Sequence, residues 1–413
     1  MEQEQFREVI WIMNRSKPVP PVIRSREHLA AQGVSLLPAG SVAPSALPIT
    51  PDGVTYTMAQ ETTWIDMQHF AVGRWDGSLS IFSFNNSPTE GPIITKAVNT
   101  PALEGVQMIT WLAPGVFASS NDESSIIVWS SPSGAWTDLE AIASLRYDLS
   151  LGVANSGDTV VLGNVLYLAV GHANGFVSLW SGNVDGTRLQ FVTAIDVRNP
   201  HPTNPWGLHN IRGISSIFWD NSRGYIATGS EDGYICVLRL PDGGIMSQTV
   251  YNPGAQRGIN SVAAFGQNLL IANCAVGPTD KNLWYFWIDG NDFSVSLKDS
   301  TNLRVNPSAP QVFNFCTIWG LFENQVGFFS STEEGALWVG TINANQQINV
   351  VGYQTVFGEL GSALAFNING DLVVINYNLF EFVTTQHHTP TLHSDPERLP
   401  LEALPGQLAI HLA

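Results

Sequence analysis

The sequence predicts an all-β protein, a single seven-bladed β-propeller of four-stranded blades with an extension at each end. Three observations support this fold class. Short apolar stretches repeat seven times, these stretches have the residue types and alternation of β-strands, and helical periodicity is nearly absent outside the two ends. Hydrophobic residues make up 44% of the chain and charged residues 13%, so we expect a large packed core.

Each repeat contains an apolar strand that ends in a large apolar residue, a short turn, a second strand, a polar loop and a third strand of alternating apolar residues. The copies occupy residues 62–84, 108–130, 160–182, 216–240, 262–288, 316–342 and 363–383. The residues that close the first strands are Trp64, Trp111, Leu162, Trp219, Phe265, Trp319 and Phe366. Their recurrence at one register predicts packing between adjacent blades.

The strands and turns of the repeats are β in type as well as in period. Asp-Gly, Asn-Gly or Glu-Gly precedes several third strands, as in tight hairpin turns. An insertion around Gly277 and Pro278 lengthens the fifth copy. Each unit spans about 40 to 60 residues, which is the range of propeller blades. Because one four-stranded sheet cannot cover both of its faces, successive blades must pack around an axis and the ring must close.

Three segments resemble the second strand, turn and third strand of WD-repeat β-propellers: FAVGRWDGSLSIF, LAVGHANGFVSLW and IATGSEDGYICVLRL. The resemblance covers roughly residues 53–383. The family's Gly-His pair before the first strand is not evident, and its closing Trp-Asp is replaced by Trp-Ser or Trp-Val. The residues that match its structural turn aspartate are Asp76, Asp122, Asn174, Asp232 and Glu334.

The seventh copy supplies three strands, so a fourth strand must come from elsewhere. Residues 53–58 have the alternation of a strand, and the resemblance implies that they close the ring by pairing with residues 378–383. Residues 53–383 are therefore predicted to form the propeller. Residues 1–52 are predicted to be an extended strap, and residues 384–413 a tail. Both extensions pack on their own ring or dock to a partner or second subunit.

Charge and cysteine content restrict the partners and the compartment. The chain has 18 basic and 35 acidic residues and a formal charge of −17, which disfavours nucleic acid and anionic membranes as partners. Three cysteines in apolar strands cannot form a disulfide framework, and the amino terminus lacks the pattern of a secretory signal. We therefore expect a cytoplasmic protein.

Few residues point to catalysis. His172, His201 and His209 could together hold zinc, but their spacing matches no ligand pattern, and exposed or capping histidines are the simpler interpretation. The adjacent pairs Glu231-Asp232 and Glu333-Glu334 should diverge, with one member of each at the structural turn. Nucleophile-elbow, P-loop and HExxH motifs are absent. No catalytic residue, metal or cofactor is predicted.

The sequence best supports a non-enzymatic platform that binds a protein or peptide partner on the propeller rim. The predicted rim residues are Arg74, Trp75, Glu123, His172, Trp206, His209, Glu231 and Glu333. Trp206 lies between Pro, Asn and Gly outside any strand period, so it is either an exposed anchor or a lid on its own blade. The alternative function is a propeller enzyme or a carbohydrate-binding module that uses the central cavity. Carboxylates converging on the axis would favour this alternative.

Overall fold

The chain folds as a ring of antiparallel sheets, here called blades 1 to 7 in chain order. The computed structural model describes residues 22–23, 59–66, 68–74, 77–83, 93–99, 105–121, 124–220, 222–254, 257–322, 325–355, 363–366, 371–376 and 379–384. Blade 1 contains Ala59–Trp64, His69–Arg74, Ser78–Ser83 and Ile93–Asn99. Blade 2 contains Ile109–Ala113, Val116–Asn121, Ser125–Ser130 and Glu140–Arg146. Blade 3 contains Ala154–Leu162, Val165–His172, Phe176–Asn183 and Gln190–Asp196.

The later blades follow the same order of strands. Blade 4 contains Ile211–Asp220, Arg223–Ser230, Tyr234–Leu240 and Ile245–Val250. Blade 5 contains Ile259–Phe265, Asn268–Val276, Leu283–Ile288 and Val295–Thr301. Blade 6 contains Gln311–Phe322, Gln325–Thr332, Ala336–Ile342 and Ile348–Thr355. Blade 7 contributes Ala363–Phe366, Asp371–Asn376 and Leu379–Thr384 to the described part of the chain.

The first strand of every blade lies at the centre of the ring. These strands contact one another in chain order, and the first strand of blade 7 also contacts that of blade 1. Each blade then extends outward through its second and third strands, and in blades 1 to 6 to a fourth strand at the outside. The predicted all-β propeller is confirmed. The predicted closing segment 53–58 lies outside the described residues.

Five clusters of buried apolar side chains each join two consecutive blades, from the junction of blades 1 and 2 to that of blades 5 and 6. Trp219 of blade 4 packs edge-on against Phe293 of blade 5, with ring centroids 5.7 Å apart. Trp319 of blade 6 donates its indole N–H to the carbonyl of Ala263 in blade 5, at 2.9 Å. The predicted role of these strand-closing aromatics in packing between blades is confirmed for both residues. The side chain of Phe366 lies outside the described residues.

The turns between second and third strands repeat one geometry. A backbone N–H at the fourth turn position donates to the carbonyl three residues earlier in blades 1, 3, 4 and 6. The fourth residue in each is a glycine with φ between 70° and 87°, where a side chain would be strained. These residues are Gly77, Gly175, Gly233 and Gly335. The Gly-ending turns predicted from the sequence are therefore present.

Blades 5 and 6 are joined by backbone hydrogen bonds. The second strand of blade 5 runs on to Val276, and residues 274–276 pair with residues 311–313 of blade 6. Beyond this ladder, the N–H of Gly277 donates to the carbonyl of Pro310 at 2.7 Å. The insertion seen in the fifth repeat therefore extends a strand across the junction between two blades.

The described residues outside the blades are few. Val22–Ile23 pairs in parallel with Leu321 and Phe322 at the end of the first strand of blade 6, so part of the predicted strap lies on its own ring. The single helical segment in the described residues is the 3₁₀ turn Leu149–Leu151. Nowhere in this described part is there a helix long and apolar enough to cross a membrane.

Candidate functional site: the upper rim of blades 4 to 6

The first strands of the blades begin, and the second strands end, on one face of the ring, which we call the upper rim. This arrangement follows from the antiparallel ladders, in which Ala154 pairs with His172 and Ile211 pairs with Ser230. The turns between second and third strands and the connections between blades lie on this rim. The sequence predicted that a partner would bind here.

The connection between blades 3 and 4, residues 197–210, is anchored by Asp232 in the turn of blade 4. Asp232 is fully buried. Its carboxylate accepts the backbone N–H of Asn199 at 2.9 Å and the ring Nδ1–H of His209 at 2.8 Å. Its backbone carbonyl accepts the N–H of Thr203 at 3.1 Å. Charge-assisted bonds at both ends of the connection hold it against blade 4.

Asn204 shapes the middle of this connection. Its amide nitrogen donates to the carbonyls of Leu208 and Glu231, at 2.8 and 2.7 Å. Its side-chain oxygen accepts the backbone N–H groups of Trp206 and Leu208, at 3.0 and 3.1 Å. The buried Asn204 therefore satisfies four backbone groups and holds the turn that projects Trp206, whose side chain is 57% exposed.

Trp206 forms one side of a cluster that we call the Arg257 cluster, made of Trp206, Arg257 and Phe313. The guanidinium carbon of Arg257 lies 4.6 Å from the centroid of the Trp206 ring and 5.9 Å from that of Phe313. Both distances are within the range of cation–π attraction. The three residues come from the connection before blade 4, the connection before blade 5 and the first strand of blade 6.

The other two members of the Arg257 cluster are also held by the fold. The carbonyl of Arg257 accepts the hydroxyl of Tyr251, which itself accepts the amide N–H of Asn273 at 3.0 Å. The neighbouring Gly258 passes so close to the carbonyl of Glu231 that a Cβ atom would lie 2.1 Å from that oxygen. Phe313 belongs to the ladder between blades 5 and 6 and stacks on Phe315, with centroids 5.5 Å apart.

Near the Arg257 cluster, Glu231 has a basic partner, whereas Arg257 has no acidic partner among the described residues. Glu231 is half-buried, and its carboxylate accepts from Arg212 at 2.7 Å and from Asn210 at 3.0 Å. Burial raises the pKa of the Glu333 carboxyl above its ordinary value. By contrast, no carboxylate among the described residues lies within 4 Å of the Arg257 guanidinium. The cluster therefore presents a cation that its own acidic neighbours leave unpaired.

The predicted rim residues have different environments. Trp206 is exposed, in agreement with its interpretation as an exposed anchor and not as a lid. Glu231 and Glu333 are half-buried on the upper rim. His209 lies at the start of blade 4 but is bonded to the buried Asp232. It stands before the first strand, which is the place of the Gly-His pair in WD-repeat propellers, and Leu208 occupies the glycine position. Trp75 and Glu123 lie outside the described residues.

Two predicted rim residues need correction, because they are buried. Arg74 is the last residue of the second strand of blade 1, and its side chain donates to the hydroxyl of Ser80 at 2.9 Å. His172 lies beneath the connection into blade 3, where Nδ1 contacts the carbonyl of Gly152 at 3.1 Å and Nε2 contacts the hydroxyl of Ser178 at 2.7 Å. Neither side chain is exposed for first contact with a partner.

The partners of His172 define its protonation state. A carbonyl oxygen only accepts, so Nδ1 donates to Gly152 and Nε2 accepts the hydroxyl proton of Ser178. The oxygen of Ser178 accepts in turn from the indole N–H of Trp180 at 3.0 Å. Desolvation lowers the pKa of His172 to about 4, so the ring is neutral at physiological pH.

The histidines and carboxylate pairs considered for chemistry do not converge. His172 is enclosed in blade 3, His201 is exposed and His209 is bound by Asp232. In the part of the chain that the structure describes, no three potential metal ligands are grouped. The members of the first carboxylate pair diverge, because Asp232 anchors a connection whereas Glu231 pairs with Arg212. In the second pair, Glu334 anchors the connection into blade 6.

The alternative function predicted from the sequence, an enzyme or a carbohydrate-binding module, would use the central channel of the ring. Its wall mixes small threonine, serine and glycine residues of the first strands with larger residues, among them Trp64, Trp111 and Trp319. Two carboxylates, Glu61 and Asp158, are also on the wall. Asp158 is engaged, since one of its oxygens accepts the N–H of Ser216 at 2.8 Å and its hydroxyl at 3.0 Å. Desolvation raises the pKa of Glu61 to about 7.

Sequence reasoning missed Asn204, Arg257 and Phe313. A single arginine in the segment NPGAQRG has no periodic signal, and Asn204 acts through its neighbours in the folded connection. Phe313 carried a usable signal. In VFNFC, Phe313 and Phe315 occupy alternate positions and so share one face of the strand, where they indicate an aromatic surface.

Comparisons with known proteins concern the whole fold. No protein-family model matches the chain, and no curated protein matches it. Among solved structures, the β-propeller domain of Myceliophteria thermophila Cps50 (Swd1) is similar, with a TM-score of 0.55 and 11% identity over 80% of this chain and 96% of that chain. The WD40 β-propeller domain of Doa1 has a TM-score of 0.57 and 10% identity over 85% of this chain and 97% of that chain. The chain therefore has the β-propeller fold of WD40 domains.

Proposed function

We propose that this protein is a non-enzymatic interaction platform that binds a protein or peptide through the Arg257 cluster on its upper rim. The observation that supports the proposal is the exposed Trp206 ring stacked on Arg257 at 4.6 Å, on a connection that Asp232 and Asn204 hold in place. Tryptophan and arginine on rigid supports are the residue types that dominate binding energy at protein interfaces. Preformed loops also reduce the entropy lost on binding.

The central channel offers less support for catalysis. General acid–base chemistry on a bound substrate requires groups that are free to exchange protons with it. Of the two channel carboxylates, Asp158 is occupied by Ser216 and by the backbone of Thr159. Among the described residues of the channel wall, no other carboxylate is therefore available to act together with Glu61.

The test uses random 12-residue peptides displayed and selected on the immobilised full chain. Affinities of the selected peptides are then measured by fluorescence anisotropy on the native chain and on Trp206→Ala. We expect Trp206→Ala to weaken binding by about thirtyfold or more, the loss typical of a hot-spot residue, because it removes the exposed ring. Thermal unfolding should be unchanged, because the side chain lies outside the core clusters.

The matched control is Phe191→Ala, which removes an aromatic side chain of similar exposure, 49%, from the outer strand of blade 3. This variant should bind the selected peptides as the native chain does. Equal affinity of the peptides for the native chain and Trp206→Ala would contradict the proposed site.

A further inference from the structure

We propose that the Arg257 cluster recognises a carboxylate of its peptide partner, an Asp or Glu side chain that lies beside an apolar residue. This inference rests on the proposed function and specifies the ligand chemistry of the same site. Its basis is the way in which Arg257 is held. The two rings contact the guanidinium at 4.6 and 5.9 Å, and no side-chain hydrogen bond joins it to any acceptor in the described residues.

The nitrogen atoms of Arg257 are available to a ligand. They are not among the buried, unsatisfied side-chain atoms of the described residues, so they contact solvent. A guanidinium has five N–H donors in a rigid planar fork that fits a carboxylate through two parallel bonds. Aromatic rings attract the cation through their faces and leave these in-plane donors unused. Arg257 is thus held against two rings, while the described residues offer its side chain no hydrogen-bond acceptor.

The other rim arginines nearby are already engaged. Arg212 is paired with Glu231 at 2.7 Å. Arg304 donates to the backbone carbonyls of Ala309 and Gly277 and so fixes the connection between blades 5 and 6. Within the described part of this rim region, Arg257 differs from both because its charge has no protein acceptor. One available guanidinium is suited to a single carboxylate, whereas a nucleic acid would require an array of cations.

The surroundings of Arg257 favour an acidic residue with an apolar neighbour. Trp206 and Leu208 present apolar surface on the same connection, with 57% and 45% of their side chains exposed. An apolar ligand residue covering this surface would exclude water from the ion pair and strengthen it. The chain carries a formal charge of −17, so acidic peptides without these short-range contacts are repelled.

The experiment begins with the random 12-residue library used for the proposed function. Peptides selected on the native chain should be enriched in Asp or Glu next to an apolar or aromatic residue, and those selected on Arg257→Gln should not. For one selected peptide, replacing the acidic residue by its amide should weaken binding to the native chain by about tenfold or more, as loss of one charge-assisted bidentate pair does. The same replacement should change binding to Arg257→Gln by less than about twofold.

The control for net charge is Arg188→Gln, which removes an exposed arginine from the turn before the outer strand of blade 3. It should retain the acidic preference of the native chain. Peptides that depend on Trp206 but bind equally well as acid or amide would overturn this inference and leave the proposed site intact. A library that gives no Trp206-dependent peptide would instead overturn the proposed function.

Discussion

The connection into blade 4 and the connection into blade 6 are both fixed by an acidic residue in the following turn. Asp232 accepts the N–H of Asn199 at 2.9 Å. Glu334 accepts the N–H groups of Val305 and Asn306 at 2.6 and 2.7 Å. These two residues are among the five that the sequence matched to the structural turn aspartate. The comparison shows that the turn acid has the same structural task in two blades.

The two connections differ in what they project. The connection into blade 4 directs Trp206 to solvent, whereas Arg304 of the connection into blade 6 donates to the backbone carbonyls of Ala309 and Gly277. The anchoring residue therefore does not decide whether a connection can bind a partner. The side chains between the anchors decide it, and these have no repeat signal in the sequence.

Blade 3 achieves the same anchoring without a charge. His172 holds the carbonyl of Gly152, and the amide nitrogen of Asn174 donates to the carbonyl of Ser150 at 2.9 Å. The anchor is therefore neutral in blade 3 and acidic in blades 4 and 6. Blades 4 and 6 hold backbone N–H groups of the connection and blade 3 holds backbone carbonyls, so different residue types can occupy the anchoring positions of the repeats.

The strongest test of the comparison is Asp232→Ala. We expect a loss of about 3 to 5 kcal/mol of unfolding free energy, because removal of this buried carboxylate leaves His209 and the N–H of Asn199 without their acceptor. Urea denaturation measures the loss, and hydrogen exchange should show faster exchange in residues 199–209. The control is Asp242→Ala, which breaks an exposed pair with Arg239 and should cost less than about 1 kcal/mol. Equal costs for the two variants would disprove the anchoring role.

The neutral anchor of blade 3 should make stability depend on pH. The folded pKa of His172, about 4, is below its ordinary value of 6.5, so the unfolded chain binds a proton more readily between these values. This contribution is fully present above pH 6.5 and is lost as the pH falls to 4, by about 3 kcal/mol in total. Urea denaturation of the native chain and His172→Gln at pH 7 and pH 4 should show the larger decline in the native chain. Parallel declines would contradict a neutral anchor.

The smallest effect is expected for Glu334→Ala. Its two backbone partners lie at a half-buried site where water can replace the carboxylate, so we expect a loss of about 1 to 2 kcal/mol. Peptide binding through Trp206 should be unchanged, because the Arg257 cluster contains no residue of the 304–309 segment. Weaker peptide binding by this variant would show that the two connections are coupled.

Sequence patterns predicted the parts of the fold that repeat. Strand alternation and the glycine turns at Gly77, Gly175 and Gly233 predicted the blades, because each of these blades needs a residue with positive φ at the turn between its second and third strands. The burial of His172 was not predictable, since it depends on the carbonyl of Gly152, 20 residues away. The same holds for the Arg257 cluster, which forms only when two connections and a strand meet.

The ladder between blades 5 and 6 gives the ring an uneven stiffness. Residues 274–276 and 311–313 must break backbone hydrogen bonds before these blades can part, whereas no strand ladder crosses the other junctions in the described residues. We therefore expect the junctions that lack a strand ladder to separate more easily than the junction of blades 5 and 6. Phe313 belongs to this ladder, whereas Trp206 and Arg257 lie on the connections before and after blade 4. A ligand that contacted all three residues would therefore link the connections of blade 4 to the blade pair that shares a backbone ladder.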